Sequence, residues 1–254
     1  MNKELIRKNF SRYAGYYDKY CSVQNLCALR LISKVADERL NNILDIGCGT
    51  GNYTKLLRDR FPSARIKAID ISEDMIRIAG NKLRDEKTEF LVADAEAVDL
   101  RERFDLITSN ACFQWFENLE GTLFKYKNLL NKNGLILFSV FGPSTFYELN
   151  ASLKEIFEEG NLISSCGFLE KSRLSAILKR HFKGIAIEEQ MLRQEHNSVS
   201  ELLNKIRYTG ARGFGANGRG FWTGEIINEL QRVYSARFKY LTATYQVFYC
   251  RAMR

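Results

Sequence analysis

The sequence predicts an α/β fold, a largely parallel sheet with helices on both faces. Two observations carry this. Strand-like and helix-like patterns alternate without a break from residue 40 to residue 141, and such alternation builds βαβ units whose strands run parallel. The first strand-like run also ends in glycines, "ILDIGCGTGNY" at 43–53. A glycine loop between a buried strand and a helix seats nucleotide-like ligands.

Each element follows from its own pattern. "NILDI" is a run of branched apolar residues ending at Asp45, the signature of a strand buried on both faces. After the glycines, "YTKLLRDRF" has helical spacing at Tyr53, Leu56, Leu57 and Phe61. "RIKAID" is the next strand and ends at Asp70; Ser72 is an N-cap for the helix "EDMIRIAGNKLRD". "TEFLVADAE", "FDLITSN" and "GLILFSVF" give three more strands, with the helix "LEGTLFKYKNLL" before the last. Beyond 141, "STFYELNASLKEIFEEG", "EKSRLSAILKRHF", "SVSELLNKIRYTG" and the amphipathic "TGEIINELQRVYSARF" read as helices. "GIAIEEQML" and "TATYQVFYCRA" read as late strands that complete the sheet. The expected organisation is one domain over 1–254, with a helical lid at 1–40, a cofactor-binding core at 41–141, and a substrate cap with the completing strands at 142–254.

Composition narrows the class. The chain has 254 residues, 45% hydrophobic and 27% charged, as expected of a globular protein with a sizeable core. No apolar run is long enough for a membrane span, and "MNKELIRKNFSRY" lacks the apolar centre of a secretion signal. Six cysteines form no CxxC pair, and His181 and His196 are too far apart to suggest zinc. A reduced cytoplasmic protein without a structural metal is therefore expected. The net charge of +8 is unevenly placed: residues 201–254 hold nine Lys and Arg against three Asp and Glu. That excess suggests a docking surface for something acidic.

The strand ends define the ligand. A dinucleotide loop would read GxGxxG, whereas here Gly47, Gly49 and Gly51 are followed by Asn52, and no GK[ST] follows that would make a P-loop. The loop offers no cation to a phosphate, so close backbone approach to a ligand without phosphates is the better fit. Asp70, at the end of the second strand, is placed to accept ribose hydroxyls, and Asp94 to accept from an adenine amine. Carboxylates at 45, 70 and 94 favour a cationic ligand. S-adenosyl-L-methionine is a nucleoside with a sulfonium charge and no phosphate, and it meets each condition.

"DIGCGTG", Asp70, "ADAE" and "FDLITSN" resemble the successive motifs of class I methyltransferases over residues 40–141. The resemblance implies a Rossmann-like sheet of seven strands, mostly parallel with the last antiparallel, and helical cap insertions. It also implies that Gly47, Gly49 and Gly51 line the methionine part, Asp70 takes the ribose and Asp94 the adenine amine. Ile71, Met75 and Ala95 would surround the adenine, and Asn110 would sit near the transferring methyl.

Further stretches narrow the resemblance. "NFSRYAGYYDKY", "SNACFQWFENL", "FSVFGPSTFYEL", "LLNKIRYTGARG" and "YLTATYQVFY" are similar to the malonyl-[acyl-carrier protein] O-methyltransferases of biotin synthesis. That family methylates the free carboxylate of a malonyl thioester, giving a methyl ester that primes pimeloyl synthesis. A carboxylate of pKa about 4 is ionised at neutral pH, so no general base is expected. Phe10, Arg12 and Tyr17 would fold over the cofactor, with Arg12 or Tyr17 reaching its carboxylate. Gln114 and Trp115 would stand at the mouth of the site, and one of Arg207, Arg212 and Arg219 would face the malonyl carboxylate. The resemblance implies a malonyl-loaded acyl carrier protein as partner, docking on 201–254, with neither nucleic acid nor membrane. Three alternatives remain open on the residues alone: a methyltransferase of a free acid such as an aconitate-like tricarboxylate, an RNA methyltransferase, and a non-catalytic methyltransferase-like subunit.

Overall fold

A computed structural model describes residues 3–35, 39–157, 163–210 and 222–254. The chain opens with two helices, α1 (Lys3–Tyr20) and α2 (Ser22–Ile32). The alternating core follows: β1 (Asn42–Ile46), α3 (Asn52–Arg60), β2 (Arg65–Asp70), α4 (Glu73–Lys82), β3 (Thr88–Val92), β4 (Phe104–Asn110), α5 (Leu119–Leu129) and β5 (Leu130–Phe141). The last part holds α6 (Tyr147–Phe157), α7 (Lys171–His181), β6 (Lys183–Glu195), α8 (Val199–Tyr208), α9 (Gly224–Arg237) and β7 (Thr242–Met253).

The seven strands form one sheet in the order β3-β2-β1-β4-β5-β7-β6. The first five pair in parallel, while β7 runs antiparallel to both β5 and β6. Only the last strand is reversed, as the sequence predicts. The order switches direction between β1 and β4, and in open α/β sheets ligands bind at such a switch, beyond the carboxyl ends of the strands.

Alternate residues of the central strands feed two separate cores. Ile43, Leu106, Leu137, Val247 and Tyr249 pack with Val23 and Leu31 of α2, Leu57 of α3, and Leu149, Leu202 and Tyr234 of the C-terminal helices. Their neighbours Leu44, Ile107, Ile136, Phe248 and Cys250 pack with Leu123 and Tyr126 of α5 and Leu174 and Leu178 of α7. The period of two, with both faces apolar, explains why these strands read as continuous hydrophobic runs. Helix α2 and the C-terminal helices α6, α8 and α9 therefore lie on the same side of the sheet, around one hydrophobic cluster, while α7 packs on the other.

That side also carries a contact between α1 and α8. Tyr208 of α8 stacks on Tyr20 with ring centroids 4.6 Å apart and meets Tyr13 edge-on at 5.4 Å. Aromatic pairs in these arrangements add attraction beyond the area they bury.

Candidate active site

The glycine loop is shaped by three positive φ angles, at Gly47, Gly49 and Gly51. Gly47 (φ 69°) turns the chain out of β1, and a Cβ there would collide with the Cys112 side chain. Gly49 (φ 55°) would direct a Cβ into open space instead, so its backbone is left bare toward the cavity beside it. The loop is anchored by Asp70, whose two carboxylate oxygens accept from Gly49 N and Ser72 N, both at 2.9 Å. Burial pushes the Asp70 carboxyl up, against the pull of the N–H groups of Ser72, Gly49 and Ile71.

A cavity of about 90 Å³ opens beyond these strand ends. Gly47, Gly49, Asp70 and Asn110 form one part of its wall, and Ile71, Met75, Asp94 and Ala95 another. Phe10 and Tyr17 of α1 close it from above, and burial raises the Tyr17 phenol well beyond its usual value. The geometry fits S-adenosylmethionine on observations of its own. A carboxylate has about four acceptor positions, and those that the backbone N–H groups leave on Asp70 can accept from ribose hydroxyls. The bare backbone of Gly49 admits a ligand at van der Waals distance, and Asn110, the last residue of β4, lines the same cavity.

Several sequence expectations are corrected. Asp45 does not line this cavity; it is 1% exposed and lies beneath the loop, where Thr54 Oγ1 donates to Oδ2 at 2.7 Å. Its Oδ1 is buried without a partner, and burial raises the carboxyl to about 7. Gly51 is also outside the lining: it precedes α3 and its backbone backs onto Ala79. Arg12 is exposed. Lys3, Ile6, Phe10 and Tyr17 share the inward face of α1 at helical spacing, and Arg12, two residues from Phe10, falls on the far side.

Gln114 likewise leaves the mouth of the site. It sits with Trp115 in a single 3₁₀ turn (Phe113–Trp115), where successive side chains diverge by a third of a turn. Its Nε2 donates to Ala111 O at 2.7 Å and props the left-handed residue that follows β4, Ala111 at φ 52°. Trp115 instead points inward. Its ring meets Phe10 edge-on at 6.2 Å and Phe168 at 5.4 Å.

Trp115 also belongs to a second, larger cavity of about 230 Å³. Phe141, Phe146, Ile206, Trp222 and Tyr245 make its walls mostly apolar, and Gln24, Asn204 and Arg207 add polar groups. Among the described residues, Arg207 is the one charged side chain in that lining. Arg212 and Arg219 lie outside the described residues. Two cavities thus meet across one indole, the smaller lined by the glycine loop and acidic strand ends, the larger mostly apolar with one guanidinium.

Sequence reasoning missed three residues that the helices deliver. Lys3 Nζ donates to Asp94 Oδ2 at 2.7 Å and pairs with Glu96 at 2.8 Å, at the end of the cavity lined by Asp94 and Ala95. Asp18 receives Thr50 Oγ1, Asn52 Nδ2 and Lys82 Nζ at 2.6, 3.0 and 2.7 Å. Gln24 accepts from Asn110 Nδ2 through its main-chain carbonyl at 2.9 Å. Among the described residues no group of three or more His, Cys, Asp or Glu side chains could hold a metal ion, and no helix is long and apolar enough to cross a membrane.

The sheet order, the glycine loop and the acidic strand ends define a class I methyltransferase. Residues 44–138 match the methyltransferase domain family. A putative methyltransferase from Bacillus halodurans has the same fold, with a TM-score of 0.62 at 16% identity over 89% of this chain and 97% of that one. So has Haemonchus contortus phosphoethanolamine N-methyltransferase 2, solved in complex with S-adenosyl-L-methionine, with a TM-score of 0.61 at 17% identity over 98% of this chain and 60% of that one. Malonyl-[acyl-carrier protein] O-methyltransferase 2 of Ilyobacter polytropus is 35% identical over 94% of this chain and 92% of its own length. This chain belongs to the malonyl-[acyl-carrier protein] O-methyltransferase family.

Proposed function

We propose that the protein transfers a methyl group from S-adenosylmethionine to the free carboxylate of a malonyl thioester carried by acyl carrier protein, the step that primes pimeloyl and biotin synthesis. The observation that carries this reading is the lining of the larger cavity. Among the described residues it contains no Asp, Glu, His or Lys, so it has no general base, and its one charge is the Arg207 guanidinium. An acceptor that arrives already ionised needs no base, and an anionic acyl end is matched by one cation.

The bound cofactor supplies an electrophilic methyl group on a sulfonium. Asp70 would hold its ribose, Asp94 and Ala95 its adenine end, and Asn110 would face the side of the transferring group. Phe10, Tyr17 and Trp115 exclude water, which would otherwise compete for the methyl and screen the charges. An acceptor that arrives as a carboxylate would ask no proton transfer of the protein's own residues. The protein's contribution is in-line positioning.

We read the chain as one domain with three tasks: residues 1–40 close over the cofactor, 41–141 hold it, and 142–254 enclose the acyl group and meet the carrier. The basic excess of 201–254 supports docking of an acidic carrier, although Arg232 and Arg237 are paired with Glu229 and Glu155. Six free cysteines, four of them buried, agree with a reducing compartment such as the cytoplasm.

Intact mass of malonyl-loaded carrier protein after incubation with enzyme and S-adenosylmethionine tests the reading. A gain of one methyl, absent with acetyl-loaded carrier, is expected. No gain, while the cofactor still binds, would overturn the carrier substrate and direct the test to free carboxylic acids.

A further inference from the structure

The last turn of α8 and the residues after it touch both cavities. Ile206, Arg207 and Thr209 line the larger one. Between them Tyr208 meets the first helix, stacking on Tyr20 at 4.6 Å and contacting Tyr16 and Tyr13 with ring centroids at 5.2 and 5.4 Å. Tyr13, Tyr16 and Tyr20 follow helical spacing along one stripe of α1, and Phe10 and Tyr17, which line the cofactor cavity, belong to the adjacent stripe. Gly210 completes the clasp. At φ 71° its backbone approaches Phe10 so closely that a Cβ there would lie 2.5 Å from the ring. Lys205 adds a polar tie, its Nζ donating to Ser22 Oγ at 2.8 Å where α2 begins.

We propose that Tyr208 is a positioning residue through which the bound cofactor sets the acyl cavity. The inference rests on the cofactor reading and is independent of which acyl group the larger cavity takes. A ligand seated against Phe10 and Tyr17 restrains α1. The restrained helix holds Tyr208 and Gly210, and with them the wall formed by Ile206, Arg207 and Thr209. The second ligand then meets a wall that is already ordered, so each ligand strengthens the binding of the other. In a transfer between two substrates this imposes an order: the acceptor cavity is completed once the methyl donor is in place.

The test is amide hydrogen exchange of the full chain with and without saturating S-adenosylhomocysteine, in the wild type, Tyr208→Ala and Tyr208→Phe. Protection of the glycine loop reports that the ligand is bound, and β7 reports any general gain in stability. In the wild type the α8 amides are expected to slow by about 5- to 10-fold beyond the change in β7, the lower range of coupling between two sites. Tyr208→Phe keeps the stacked ring and should keep this response. Tyr208→Ala should lose it while the glycine loop is still protected. A role in packing alone would speed α8 exchange in the alanine variant but leave the response to the ligand intact. Wild-type α8 amides that exchange alike with and without the ligand overturn the proposal, and so does a full response in Tyr208→Ala. A wild-type glycine loop left unprotected would overturn the cofactor reading, and the inference falls with it. Malonyl-loaded carrier left unmethylated by the wild type would instead overturn the substrate reading and leave the exchange result standing.

Discussion

Asp18 of the N-terminal helix accepts a 2.6 Å hydrogen bond from Thr50 Oγ1 in the glycine loop. The same carboxylate accepts from Asn52 Nδ2 and, through its other oxygen, from Lys82 Nζ. Burial alone would raise its carboxyl; Lys82, Thr50 and Asn52 together more than offset this and hold it below the ordinary value. The first helix is thereby latched to both the loop and α4, with Phe10 and Tyr17 over the cofactor cavity.

Asp18→Ala is expected to loosen that latch. The site is half-exposed, so the effect is moderate: dissociation of S-adenosylhomocysteine should quicken by about 3- to 10-fold, with the fold intact. Stopped-flow displacement measures the off-rate directly. An unchanged off-rate would mean that the helix does not gate the cofactor.

Asp70→Ala should act more severely and through a different route. It removes the acceptors of Gly49 N and Ser72 N along with the positions left for ribose. Loss of two charge-assisted contacts predicts a cofactor Kd weaker by at least ~100-fold, together with a lower melting temperature of the cofactor-free protein. Calorimetry on both proteins separates the two effects. Retained tight binding in the variant would place the nucleoside elsewhere.

These two carboxylates mark what could be read from the sequence and what could not. Asp70 ends a short apolar strand, so its position at the ligand edge follows from local pattern and the switch-point rule. Asp18, Lys3 and Gln24 sit on helices whose own sequence gives no hint of their partners: Thr50 is 32 residues from Asp18, Asp94 is 91 from Lys3 and Asn110 is 86 from Gln24. Arg12 was misplaced because the cavity face of α1 follows a phase that only docking on the loop selects. Gln114 was misplaced because a 3₁₀ turn separates neighbours that an extended loop would present together. β5 begins four residues earlier than its apolar run, at Leu130, since the polar "NKN" is carried in a register irregularity opposite β4.

Arg207 is expected to serve the substrate and not the cofactor. Arg207→Ala should lower kcat/KM for malonyl-loaded carrier by about 10- to 100-fold, the worth of a hydrogen-bonded charge. S-adenosylhomocysteine affinity should stay as it is, because the guanidinium lines only the larger cavity. Arg207→Lys should recover part of the loss, since the charge returns without the planar fork. Equal loss of carrier turnover and cofactor affinity in the alanine variant would contradict this separation.

Asp45 makes the stability of the protein depend on pH in an uncommon direction. Its carboxyl titrates near 7 in the folded protein and at about 3.8 by itself. Between those values the folded state holds a proton that the unfolded state has released, so the stabilisation is complete below about pH 4 and falls away as pH rises toward 7. The contribution is at most ~4 kcal/mol over that window. Asp45→Asn keeps an acceptor for Thr54 Oγ1 and cannot ionise, so its stability should lack this decline. Denaturant unfolding of both proteins at pH 5 and pH 8 isolates the effect: the wild type should lose stability relative to the variant at the higher pH. Parallel pH profiles would show that Asp45 is ionised throughout, and that its buried Oδ1 finds a partner in solution.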